Sequence, residues 1–157
     1  MKKIQWPRLL AALLLPLAVG ALSSWLTGSF SQAYQNVYKP LLSPPGWVFP
    51  VVWTVLYLLM GYASYLVWIS EATEGEKKGA LTLYAVQLLF NFVWPLLFFR
   101  GRLFWFAFVW LVLLWILILL TKRRFDSIER KSGICLIPYL VWVTFAAYLN
   151  LGVSLLN

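Results

Sequence analysis

At 157 residues the chain is about one domain long, and 62% of it is hydrophobic and only 11% charged. Soluble domains run at about 45–50% and about 25%, so a soluble globule of this size could not hide so much apolar surface, and the composition is that of a membrane protein. The net charge of +8 comes from 13 Lys and Arg confined to short breaks between apolar runs, a pattern of topogenic charge that argues against a nucleic-acid stripe. There is no histidine and a single cysteine, Cys135, which excludes an internal disulfide, Ser-His or Cys-His catalysis and the commonest metal and haem ligand. No metal site and no resident cofactor are expected.

The first apolar run, 9–27, follows Lys2, Lys3 and Arg8. A secretory leader begins in the same way, and Ala21-Leu22-Ser23 would pass as its cleavage site. Four further runs argue instead for a retained helix, and nineteen residues cover about 28 Å, close to the hydrocarbon thickness. A long first loop follows over 28–43. Phe30, Tyr34, Val37 and Tyr38 recur there at i, i+4, i+7 and i+8, so the loop carries an apolar face of its own. Such a loop acts as a lid or rests on the headgroups.

The second span, 46–70, opens on Pro44-Pro45-Gly46-Trp47-Val48-Phe49-Pro50 and places Trp53 and Tyr57 four residues apart on one helical face. After a charged break, the third span, 79–99, sets Gln87, Asn91 and Pro95 at four-residue intervals. Pro95 there should kink the helix or release a carbonyl. A tight turn at Arg100-Gly101-Arg102 leads to a nearly featureless fourth span, 103–121. The most charged break, 122–131, precedes the fifth span, 132–156.

Five spans put the N-terminus and the second and fourth loops on one side, with Lys2, Lys3, Arg8, Lys77, Lys78, Lys122, Arg123, Arg124, Arg130 and Lys131. The other side has only Lys39, Arg100 and Arg102. The positive-inside rule therefore predicts a cytoplasmic N-terminus and an extracytoplasmic first loop. The fold expected is an all-α, single-domain bundle of five transmembrane helices with the first loop as its lid. No internal repeat supports an inverted-repeat transporter.

Counted from the first-loop side, Trp53 and Asn91 lie roughly 12 Å deep, Asn150 about 10 Å, Ala146 about 16 Å and Trp142 roughly 22 Å. Polar and aromatic residues of three helices thus converge at one level. Gln87, Asn91 and Asn150 either cross-link helices or face a pocket. Trp6, Trp25, Trp47 and Trp105 read as interfacial belt residues. Trp53, Trp94 and Trp142 are too deep for a belt or share a face with an amide, and they read equally as core or as pocket lining. Gly79, Ala80 and Ala85 form a weak small-residue stripe for helix association.

The segment from Pro44 to Tyr57, the block Gln87-Leu88-x-x-Asn91-x-x-Trp94 and the block from Pro138-Tyr139-Leu140-x-Trp142 to Leu149-Asn150 resemble the translocator protein family, also known as tryptophan-rich sensory proteins or peripheral-type benzodiazepine receptors. The resemblance implies a homodimeric five-helix bundle with a porphyrin- and drug-binding cavity under the first loop. Position by position it implies a lining of Tyr34, Trp53, Tyr57, Asn91, Trp94, Trp142, Ala146 and Leu149. It also implies three functional readings: a receptor or sensor for protoporphyrin IX and related apolar ligands, a light-dependent porphyrin-degrading enzyme using Trp53 and Trp142, or a tetrapyrrole or lipid transporter. Lys39, Arg100 and Arg102 would pair with the propionates, and the lack of histidine favours metal-free porphyrin over haem. Nothing basic follows Tyr148 as the family's sterol motif requires.

Overall fold

The computed structural model describes residues 3–28 and 30–157, with only the backbone of Phe30 and Ser31. Lys2 of the amino-terminal basic cluster and the side chain of Phe30 in the amphipathic repeat lie outside the described residues. Among those residues five helices are long and apolar enough to cross a membrane: Trp6–Thr27 (α1), Val48–Trp68 (α3), Glu74–Arg100, Phe104–Ile128 (α5) and Arg130–Leu156. The short α2, Phe30–Gln35, lies in the first loop. The third span is an α-helix, Glu74–Pro95 (α4), closed by a π-helical turn over Leu96–Arg100. The fifth is split into α6, Arg130–Cys135, and α7, Ile137–Leu156.

Local chemistry explains where the helices depart from the predicted spans. The third starts five residues early because Thr73 caps it: its hydroxyl accepts from the Glu76 amide at 3.1 Å, the cap half of a Thr-x-x-Glu box. At its other end Pro95 has no amide for the Asn91 carbonyl, and the ladder widens, with Gly101 N–H donating to the Leu96 carbonyl at 2.8 Å. The fourth runs to Ile128, through residues expected as a break. Phe125 on that extension is fully buried against Tyr84, 5.9 Å between ring centroids, and Lys122 pairs with Asp126 one turn on at 2.6 Å. Glu129, extended at φ −150°, makes the break that the sequence spread over ten residues.

α1 packs on α3 and α4, α5 packs on α4 and α7, and α6 closes the lower end of α3. The α1–α3 contact has a specific cause. Pro16 leaves the Ala12 carbonyl without its helical donor, and α3 approaches at that point through Gly61, where a Cβ would stand 2.5 Å from the Ala12 oxygen. Only a hydrogen fits there. The core behind it is Met60, Leu111, Leu114, Ile118 and Tyr139, all essentially sealed. Outward-facing Leu10, Leu14, Leu89, Val109, Leu113 and Val141 are exposed and apolar, the surface a bilayer would cover. Trp6, Trp25, Trp47 and Trp105 are exposed at the helix ends, where the belt reading puts them.

The first loop is closely packed. Tyr34 and Val37 are buried, whereas Tyr38 is turned outward because α2 stops at Gln35 and helical phase does not carry that far. The Tyr34 hydroxyl donates to the Pro44 carbonyl, Tyr148 donates to the Leu41 carbonyl at 2.6 Å, and Asn157 brackets the Tyr38 backbone at 2.9 and 3.2 Å. Gly152 of α7 lies directly under Pro40.

Candidate functional site

Between α1, α3 and α4 lies a cavity of about 450 Å³, within the range of about 300–1,000 Å³ usual for small-molecule pockets. Its aromatic wall is Phe49, Trp53 and Tyr57 of α3 with Trp94 of α4 and Phe99 of the π turn. Its opposite wall is the small-residue face of α1, from Gly20 through Ser23 and Ser24 to Thr27. Exposed Ala21 and Ser24 face exposed Pro50 and Thr54 across the mouth, so the cavity opens sideways between α1 and α3.

The amides singled out in the sequence hold the aromatic wall in place. Tyr57 donates to Asn91 Oδ1 at 2.9 Å, Asn91 Nδ2 donates to the Tyr139 hydroxyl at 2.7 Å, and Tyr139 donates to Gln87 Oε1 at 2.8 Å. This buried relay ties α3, α4 and α7 together. Trp94 Nε1 donates to Asn150 Oδ1 at 3.0 Å, and Asn150 Nδ2 donates on to the Phe104 carbonyl at 2.9 Å. Ser23 fastens α1 to α4 by donating to the Phe92 carbonyl at 2.8 Å. Trp53 leans on Tyr57, 5.7 Å between centroids, and meets Tyr139 edge-on at 6.1 Å.

Of the eight residues expected around one cavity, four do line it: Trp53, Tyr57, Asn91 and Trp94. The other four lie on the far side of Phe49. Tyr34, Ala146 and Leu149 border a void of only about 20 Å³ under the first loop, space that the Tyr34 ring fills by packing edge-on to Phe49 at 5.1 Å. Trp142 meets Phe49 at 5.7 Å, and its buried Nε1 has no hydrogen-bond partner among the described residues. The α1 wall was not foreseen, since α1 carries no deep aromatic or amide. The signal available was Gly20, Ser23, Ser24 and Thr27, small or hydroxylated at i, i+3, i+4 and i+7.

The three first-loop-side cations are held separately. Arg100 donates to the Leu26 carbonyl at 2.7 Å, one residue from Thr27 in the cavity wall. Arg102 lies over Phe104 at 5.5 Å. Lys39 covers the Tyr34 ring at 4.7 Å and donates to the Tyr34 and Val37 carbonyls. Among the described residues no group of His, Cys, Asp and Glu could hold a metal ion. Of the small-residue stripe on α4, Ala80 is fully buried inside the chain's own packing.

Residues 12–156 match the TspO/MBR family. The chain is 39% identical over 142 residues to the tryptophan-rich protein TspO of Chlorobaculum tepidum, covering 90% of each chain. It is 37% identical to the tryptophan-rich sensory protein of Cereibacter sphaeroides, over 79% of this chain and 76% of that one. It is also 37% identical to the translocator protein of Ovis aries, over 82% and 76%.

Proposed function

This chain belongs to the TspO/MBR family, and from that premise we propose an integral membrane receptor or sensor that takes a flat apolar ligand, protoporphyrin IX or a related tetrapyrrole, in the cavity between α1, α3 and α4. The observation that carries this reading is the aromatic wall of Trp53, Tyr57 and Trp94 around a space of about 450 Å³, set among helices long and apolar enough to cross a membrane. Indole and phenol faces give a porphyrin stacking area, and an offset aromatic pair is worth about 0.5–1.5 kcal/mol beyond its burial. Arg100, beside the Thr27 end of the cavity, is the cation best placed for a propionate; Lys39 and Arg102 are already spread over rings. The first loop acts as a lid over Phe49, with the N-terminus cytoplasmic and the loop outside, and the working unit is a homodimer.

Titrating the purified full chain with protoporphyrin IX in the dark, followed by quenching of tryptophan fluorescence, tests the site. Trp53→Ala should weaken binding about tenfold, as the loss of about 1.4 kcal/mol of stacking requires, and Trp142→Ala should weaken it far less. The opposite ranking would move the ligand from the α1 cavity to the space under the loop.

A second reading, photochemical breakdown of the bound porphyrin, is favoured by Trp53 at the cavity wall and by Trp142 behind the intervening Phe49 ring. Under illumination Trp53→Phe and Trp142→Phe together should then abolish breakdown while dark binding persists. Transport ranks third, because it requires a path through the bundle that the sealed core below Tyr57 closes.

A further inference from the structure

Part of the first loop runs down the outside of the bundle. Asn157, just past the end of α7, brackets the Tyr38 backbone, Gly152 lies under Pro40, and Tyr148 donates to the Leu41 carbonyl. From Tyr38 to Leu41 this strap follows α7 backwards from residue 157 to residue 148, a descent of about 13 Å. Tyr148 shares its helical face with Val141 and Leu155, all three exposed, so the strap lies on the apolar side that α7 turns outward. A headgroup layer is only about 5–8 Å thick on each side of a bilayer, and the foot of the strap reaches past it.

At that foot the chain turns through Leu41 and Leu42, closed by Ser43 Oγ donating to the Pro40 carbonyl at 2.7 Å. Leu42 takes φ +69°, a left-handed conformation that suits Gly or Asn and is unfavourable for leucine. Leu41 and Leu42 are 85% and 82% exposed, and in water a polar residue would serve better at both places. The one charged side chain of residues 36–47, Lys39, folds back to the Tyr34 and Val37 carbonyls and leaves the tip uncharged. The backbone is also suited to a medium without water. The carbonyls of Val37, Tyr38, Pro40, Leu41 and Pro44 accept from Lys39, Asn157, Ser43, Tyr148 and Tyr34, and Pro40, Pro44 and Pro45 have no amide to satisfy. Irregular backbone is tolerated at membrane depth only where protein groups meet its polar atoms.

We propose that the Leu41–Leu42 turn is a lipid anchor, set at the hydrocarbon edge of the loop-side leaflet with both leucines among the acyl chains. Tyr38 and Trp47, 75% and 68% exposed on either side of it, take the headgroup level, as amphipathic aromatics do. The bilayer itself then holds the first loop against α7, whatever ligand occupies the cavity. The rival occupant is a second copy of this chain. Tyr38, Leu41 and Leu42 alone fall far short of the roughly 800 Å² per partner of a stable interface, whereas they continue the apolar face of α7 that a bilayer would cover in any case.

The full chain carrying Cys135→Ser and Leu42→Cys, labelled with the fluorophore NBD and held in phosphatidylcholine nanodiscs, tests the anchor. Emission should be blue-shifted and quenched by a lipid nitroxide placed high on the acyl chain, with aqueous iodide ineffective. The same label on Glu76→Cys, at the exposed start of α4, should show the reverse. Leu42→Asn separates the anchor from the turn. Asparagine suits the left-handed position, so a loop standing in water would stay as tight or tighten. A loop anchored in lipid should open, and chymotryptic cleavage after Tyr38 should rise about tenfold as the leucine's transfer energy is lost. Iodide quenching of the label on Leu42→Cys, unchanged or slower cleavage in Leu42→Asn, or a blue-shifted label that no lipid nitroxide reaches, as under a second copy, would each overturn the proposal. Neither readout involves porphyrin, so the anchor stands or falls apart from the ligand reading.

Discussion

Gly20→Ala adds one methyl group to the wall of the α1 cavity and tests its geometry directly. The new Cβ would stand 2.3 Å from Tyr57 Cε2, 2.7 Å from Cζ and 2.9 Å from Cδ2. Ordinary contact begins at 3.4 Å, so the ring must retreat by about 1.1 Å, the difference between 3.4 and 2.3. It is not free to do so, being held by the Asn91 hydrogen bond at 2.9 Å and by Trp53 alongside. Overpacking costs about 1–3 kcal/mol, and a strained interhelical hydrogen bond adds about 0.6 in membranes. Alanine's better helix propensity returns about 0.8–1. The net expectation is a destabilisation of about 1–3 kcal/mol, read by reversible unfolding in mixed micelles. In a Tyr57→Leu background the ring is gone and the same methyl should be neutral or slightly stabilising, giving a coupling of about 1.5–3 kcal/mol between the two sites. Protoporphyrin affinity should fall with Gly20→Ala as well, since the displaced ring occupies the cavity. A neutral Gly20→Ala, or an equal cost in both backgrounds, would refute the α1–Tyr57 contact and with it this cavity.

Asn91→Leu removes the centre of the Tyr57–Asn91–Tyr139 relay and should destabilise by about 1–3 kcal/mol, because Tyr57 loses its buried acceptor; Tyr57→Phe on top of it should cost little more, which the same unfolding assay reads. Burial lifts the Tyr34 phenol above its ordinary value of 10.0, with a hydrogen bond to Ser43 opposing. Because the folded value is the raised one, its contribution is complete below about pH 10 and is lost as pH climbs through the folded value; hydrogen exchange over 32–44 should therefore quicken above pH 10, and less so in Tyr34→Phe. Gly152→Val would drive a side chain into Pro40, whose Cγ lies 2.4 Å from a Cβ there, so the first loop should lift from α7 and become protease-sensitive while the helix content by circular dichroism stays constant.

The spans were legible because unbroken apolar runs of about twenty residues have few structural solutions in a membrane. Their ends were not, where short-range polar chemistry overruled charge. Thr73 turned an apparent break into a helix start, and Phe125 with the Lys122–Asp126 pair carried α5 through a basic cluster. The amides at 87, 91 and 150 stood out from their depth, and their cross-linking of helices is the plain reading of buried polar groups. What sequence could not supply was which rings face one another. Phe49 inserts between Trp53 and Trp142 and divides one expected pocket into a roomy side and a filled side. The missing wall was α1, whose glycine and hydroxyl residues signal close approach or empty space alike until a partner helix is known.

The donors around the cavity are largely committed within the fold. Trp94 Nε1 gives its proton to Asn150, Tyr57 to Asn91, Ser23 to Phe92, Thr27 to Ser23 and Thr54 to Pro50. A ligand bound there as proposed would therefore meet faces, edges and lone pairs, and few hydrogens that could interrogate its periphery. Molecules of equal thickness and breadth but different substituents should be hard for such a chamber to tell apart, and tolerance of chemically dissimilar occupants follows from the way the helices are tied together.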